Sequence, residues 1–101
     1  MSSQELLSKI EKNEAIVGII GLGYVGLPLA VSFAKNGIKV LGVEKSEKKV
    51  SSVNEGQNYI QDVDDEVLKS CVREGKLSAT SDASRIHECD VLIICVPTPL
   101  D

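Results

Sequence analysis

The stretch IIGLGYVGLPLA, Ile19 to Ala30, decides how the chain is read. Upstream of its glycines, AIVGII (Ala15 to Ile20) is a continuous apolar run of the kind found in strands buried on both faces. Downstream, Val25, Leu29 and Phe33 recur every four residues, and Gly37 supplies a stop, which predicts a helix from about Tyr24 to Asn36. Pro28 falls near the end of the first turn, where a missing N–H costs little. A strand, GLGYVG and a helix in that order are the context in which G-x-G-x-x-G has physical meaning. Gly21 permits the tight turn off the strand. Gly23 lets a pyrophosphate approach the backbone without meeting a Cβ. Gly26, with Ala30 one turn on, lets the helix lie close to the sheet. The N–H groups of Tyr24 and Val25 then face the phosphates.

A second feature supports this reading. IKVLGVE, Ile38 to Glu44, is a further strand, and Glu44 at its end follows Gly26 by about 18 residues, close to the roughly 20 expected for a ribose-binding carboxylate. Such a carboxylate accepts hydrogen bonds from both ribose hydroxyls and repels a 2′-phosphate, which favours NAD over NADP. Lys45 beside it is a cation that works the other way.

The remaining pattern alternates. Residues 46–54 read as a polar helix with Val50 and Val53 inward, and GQNYIQD as a surface connection. Asp64 to Glu74 is a helix with Val63, Val67, Leu68, Cys71 and Val72 on its apolar side, stopped by Gly75. KLSAT is a short strand, Ser84 to Cys89 one or two helical turns, and DVLIICVP a last strand ended by Pro97. The prediction is an α/β, Rossmann-type parallel sheet of about four strands, order 3-2-1-4, with right-handed crossovers and helices on both faces. Residues 15–101 form this partial domain. Ahead of it, Leu6, Leu7 and Ile10 predict an amphipathic helix within residues 1–14.

Composition bounds the function. The chain has 101 residues, so it is one domain or a piece of one, and with one Phe, two Tyr and no Trp its core must be aliphatic. A net charge of −4 without a basic block argues against nucleic acid or an anionic membrane as partner. No apolar stretch approaches a membrane span, and the N-terminus has no signal-peptide pattern, so a cytoplasmic location is the default. The three cysteines, Cys71, Cys89 and Cys95, lack CxxC spacing, and His87 has no second metal-ligand group; reduced thiols and no metal are expected.

VGIIGLGYVGLPLA together with VLIICVPTPLD resembles the N-terminal part of the UDP-glucose/GDP-mannose dehydrogenase family, from about Ala15 onward. The VPTPL ending is similar to the branch oxidising UDP-N-acetyl-hexosamines. The resemblance implies an NAD-dependent oxidoreductase that converts a UDP-sugar C6 alcohol to the uronate in two hydride transfers. It implies a pyrophosphate loop at Gly21–Gly26 and an adenosine-ribose acid at Glu44, where the family usually has Asp and where Glu should still reach. Lys49 matches a basic position near the adenosine ribose. Val96, Pro97 and Thr98 match the turn after the fourth strand that lines the cofactor.

The family's nucleophilic cysteine, catalytic lysine and sugar-nucleotide site have no counterpart here, so no catalytic residue is assigned. Cys95 lies in an apolar run with no His or Lys nearby to lower its pKa. The leading expectation is therefore a truncated NAD-binding portion that meets the UDP-sugar only in the full-length enzyme. The alternatives are a non-catalytic NAD or adenine-nucleotide sensing module, or another dehydrogenase such as the hydroxyacid group, against which VPTPL argues. A parallel sheet ending at its fourth strand also predicts a homo-oligomer through the exposed edge.

Overall fold

In the computed structural model, residues 15–61 and 63–95 are described. In chain order they form β1 (Ile16–Ile20), α1 (Gly26–Lys35), β2 (Lys39–Val43), α2 (Glu47–Asn54), α3 (Asp65–Arg73), β3 (Leu77–Thr80), a 3₁₀ helix (Ala83–Glu88) and β4 (Val91–Ile94). The expected helix in residues 1–14 and the end of the last expected strand lie outside the described residues. The strands make one parallel sheet in the order β3-β2-β1-β4, as read from the sequence. In the centre, Ile19 stands between Gly42 of β2 and Ile93 of β4. At the other end of β1, the Ile16 amide donates to the Asp90 carboxylate at 2.9 Å, and the Asp90 amide donates to the Ile16 carbonyl at 2.8 Å.

Alternation along the strands sorts side chains between the two faces. Val17 and Ile19 of β1, Val40 of β2, and Leu77 and Ala79 of β3 join Leu27, Ala30, Val31 and Ala34 of α1, Val53 of α2, and Leu68 and Cys71 of α3 in one aliphatic core. The helix boundaries follow from local chemistry. Ser46 caps α2 by accepting the Lys49 amide, and Asp64 caps α3 by accepting the amides of Glu66 and Val67. All three helices close on a Schellman pattern at Gly37, Gly56 and Gly75, with the next amide reaching back to Phe33, Ser52 and Cys71 respectively.

The start of α1 needs correction, and its buried face is now defined. Of the residues whose spacing marks the helix, Val25 is exposed, while Leu29 and Phe33 sit at the margin of the core. The buried face is Leu27, Ala30, Val31 and Ala34, because its small residues let the helix approach the sheet. The helix also begins two residues later than expected. Leu27 donates to the Gly23 carbonyl and Leu29 to Val25, but Pro28 between them has no N–H for Tyr24, so regular helix starts at Gly26.

The sheet's edges differ. On β3, the Asn54 side chain donates to the Ala79 carbonyl and accepts the Ala79 amide, both at 2.9 Å, as a neighbouring strand would. On the β4 side, Leu92 and Ile94 are 45% and 67% exposed. Leu92 lies beside Gly18 of β1 on the face away from the core, where Cys89 at the end of the 3₁₀ helix also arrives.

Candidate cofactor-binding site

The three glycines between β1 and α1 serve three different geometrical needs. Gly21 has φ +96°, and a Cβ there would overlap the Cys95 carbonyl at the end of β4. A Cβ on Gly26 would overlap the Gly21 carbonyl, so the first turn of α1 can close over the loop only without a side chain. Gly23 is different: a Cβ there would meet nothing, and its backbone is outside the left-handed region. The protein itself does not require glycine at 23. The space above it is what a phosphate group needs to reach the backbone.

The donors around that space are in place. Among the described residues, the amides of Tyr24, Val25 and Gly26 have no acceptor, and the side chains of Tyr24 and Val25 are exposed. Unpaired amides at the start of a ten-residue helix form a site that attracts anions. No acidic side chain occupies the first turn of α1 to compete with a bound phosphate.

Glu44 sits at the β2 side of this turn. Its Oε1 accepts the Leu22 amide at 3.0 Å and its Oε2 accepts the Ser46 amide at 2.8 Å, so the carboxylate is fixed between the glycine loop and the start of α2. Each carboxylate oxygen can accept more than one hydrogen bond, so both can still receive ribose hydroxyls. Lys49 lies exposed on α2, with its ammonium 5.9 Å from the centre of the Tyr59 ring. The expected residues Gly21, Gly23, Tyr24, Val25, Gly26 and Glu44 thus gather at one end of the sheet. Lys49 joins them through Tyr59. Val96, Pro97 and Thr98 lie outside the described residues, and Cys95 brings β4 up to Gly21.

Tyr59 is the participant that sequence reasoning missed, because GQNYIQD read as a surface connection. The Tyr59 hydroxyl donates to the Leu22 carbonyl at 2.5 Å. Asn58 shapes the connection that delivers it: Oδ1 accepts the Ile60 amide and Nδ2 donates to the Val63 carbonyl. Ile60 is thereby turned into the core and Tyr59 toward the glycine loop. Burial, with a smaller contribution from the nearby Glu44 charge, pushes the Tyr59 phenol up to about 12. The adjacent pair Tyr59 and Ile60, apolar bulk in an otherwise polar loop, was the available signal.

Nothing comparable surrounds the thiols. Burial pushes Cys71 and Cys89 above the ordinary thiol range, away from a reactive thiolate. No helix among the described residues is long and apolar enough to cross a membrane.

Comparison with known proteins agrees with this geometry. Residues 15–101 match the model of the UDP-glucose/GDP-mannose dehydrogenase family, NAD binding domain. The chain is 41% identical over 90 residues to UDP-N-acetyl-D-glucosamine 6-dehydrogenase of Salmonella typhi, covering 88% of this chain and 20% of that protein. It is 36% identical over 85 residues to UDP-N-acetyl-D-mannosamine dehydrogenase of Pyrococcus horikoshii, covering 83% of this chain and 20% of the other. The fold superposes on GDP-mannose dehydrogenase of Pseudomonas aeruginosa with a TM-score of 0.78 and 34% identity, over 84% of this chain and 20% of that one. The chain spans about a fifth of the length of these relatives.

Proposed function

Because the chain belongs to the UDP-glucose/GDP-mannose dehydrogenase family, in its NAD binding domain, we propose that the glycine turn holds the NAD pyrophosphate and Glu44 the adenosine ribose. NAD is the cofactor of this domain. In this reading the amides of Tyr24 and Val25 meet the phosphates over Gly23, and Gly21 and Gly26 keep the turn in shape. Lys49 stands at the adenosine end, and Val96, Pro97 and Thr98 line the cofactor after β4.

One observation carries the proposal: Gly23 has open space where a Cβ would stand, whereas the glycines on either side are packed against backbone. A turn whose middle glycine serves no internal need is shaped for something brought from outside. Bound NAD would accept hydride, and in proteins of the relatives' length the substrate would be a UDP-N-acetyl-hexosamine oxidised at C6 in two steps. These 101 residues supply the cofactor grip and not the catalytic groups, consistent with the raised thiols of Cys71 and Cys89. We place the protein in the cytoplasm, where nucleotide sugars and NAD meet, and expect it to self-associate along β4.

The test is calorimetric titration of the chain with NAD and NADP, alongside Gly23→Ala. NAD should bind more tightly than NADP. The alanine should raise the dissociation constant for NAD about fivefold or more, since overlap with a ligand costs about 1–3 kcal/mol, while the unfolding midpoint stays close to wild type. Absence of NAD binding at millimolar concentration, or unchanged affinity in Gly23→Ala, would sink the reading.

A further inference from the structure

Leu22, between the first two glycines, is anchored on three sides. Its side chain is wholly buried and packs where Gly42 of β2 has no Cβ to obstruct it. Its amide donates to Glu44, and its carbonyl accepts from the Tyr59 hydroxyl. The Leu22 carbonyl belongs to the peptide that leads into Gly23, so whatever fixes that carbonyl fixes the plane of the Gly23 amide. The opposite side of Tyr59 has a second task. Its ring lies under the Lys49 ammonium, which forms no salt bridge among the described residues. A cation over an aromatic face is held by the ring quadrupole and remains free to meet an anion.

We propose that Tyr59 is a positioning residue of the cofactor site, which tethers the glycine turn through the Leu22 carbonyl and presents Lys49 at the adenosine end of NAD. This rests on the NAD reading above. It makes the α2–α3 connection, far from the glycine motif in sequence, part of the site's machinery. The two tasks are separable because the hydroxyl performs one and the ring the other. Tyr59→Phe removes the tether and keeps the ring. Tyr59→Leu removes both. Lys49→Gln removes the charge alone.

The experiment is NAD titration of the full chain and these three variants at low and high salt, with far-UV circular dichroism on the same samples to report the folded fraction. Tyr59→Phe should weaken NAD about five- to tenfold, the loss of one net hydrogen bond expressed as affinity, and keep the wild-type salt dependence. Tyr59→Leu should weaken NAD further and flatten the salt dependence to that of Lys49→Gln. Wild-type affinity in Tyr59→Phe overturns the tether. A wild-type salt dependence in Tyr59→Leu overturns the presentation of Lys49. Losses that merely track the folded fraction overturn both, since they would make Tyr59 structural only. Wild-type chain that fails to bind NAD is a separate result, which removes the cofactor reading and this inference with it.

Discussion

The glycine turn meets its two flanking strands in different ways. Toward β2 it is held by placed polar groups: Glu44 spans the Leu22 and Ser46 amides, and Tyr59 holds the Leu22 carbonyl. Toward β4 the approach is backbone to backbone, Gly21 against the Cys95 carbonyl, and the neighbouring side chains Leu92 and Ile94 remain exposed. The β2 flank is organised before any ligand arrives, so its groups lose little freedom on binding. The β4 flank meets the turn through main chain alone, the Cys95 amide donating to the Ile20 carbonyl at 2.8 Å, and offers exposed apolar side chains with no polar side chain aimed at the turn. Substitutions on the first flank should therefore change stability and affinity together, whereas those on the second should change association.

The largest effect is expected between the flanks, where α1 closes on the turn. Gly26→Ala places a Cβ on the Gly21 carbonyl and should cost about 3 kcal/mol or more, read as a fall in the urea midpoint. A near-wild-type midpoint would mean that the turn is looser than its packing implies. Next comes Glu44→Ala, which strands the Leu22 and Ser46 amides. It should cost about 2 kcal/mol and reduce NAD affinity at least about tenfold. Loss of stability without loss of affinity would make Glu44 a strut of the β2 flank and no more.

A smaller effect separates the two flanks by pH. The Tyr59 phenol is raised to about 12 from an ordinary value of about 10. Its stabilising contribution is thus complete below about pH 10 and is lost as pH rises from there toward 12. The chain should lose stability in that window more steeply than Tyr59→Phe, in paired denaturation curves. Parallel curves would detach Tyr59 from the turn. The smallest effect belongs to the β4 flank: Leu92→Glu and Ile94→Glu should change stability by no more than about 0.5 kcal/mol while reducing self-association in analytical ultracentrifugation. A cooperative loss of folding in either variant would erase the contrast.

These flanks also differ in how far the sequence announces them. The order strand, glycines, helix, strand and acid marks Gly21, Gly23, Gly26 and Glu44 because each depends on local backbone geometry and short spacing. The sheet order follows from the same alternation. Tyr59 depends instead on the Asn58 turn and on where a long crossover happens to pass, which no periodicity encodes. The buried side of α1 was legible only in part: Gly26 and Ala30 announce the close approach to the sheet, while Leu27 and Ala34, which share it, fall outside the Val25, Leu29 and Phe33 spacing that marks the helix. Large apolar side chains dominate a hydropathy pattern. Small ones decide how closely a helix packs.

The link between Ile16 and Asp90 spans 74 positions in sequence, while β2 and β3 reach the sheet through much shorter crossovers. The central strand therefore acquires its two partners at different times. β1, β2 and β3, with the three helices over them, can assemble first, and the other side of β1 waits for β4. The β1–β4 ladder is thus the most non-local pairing of the sheet, formed readily only once β3 stands beside β2 and β4 follows it by a short connection, which makes the docking of β4 the late event in folding.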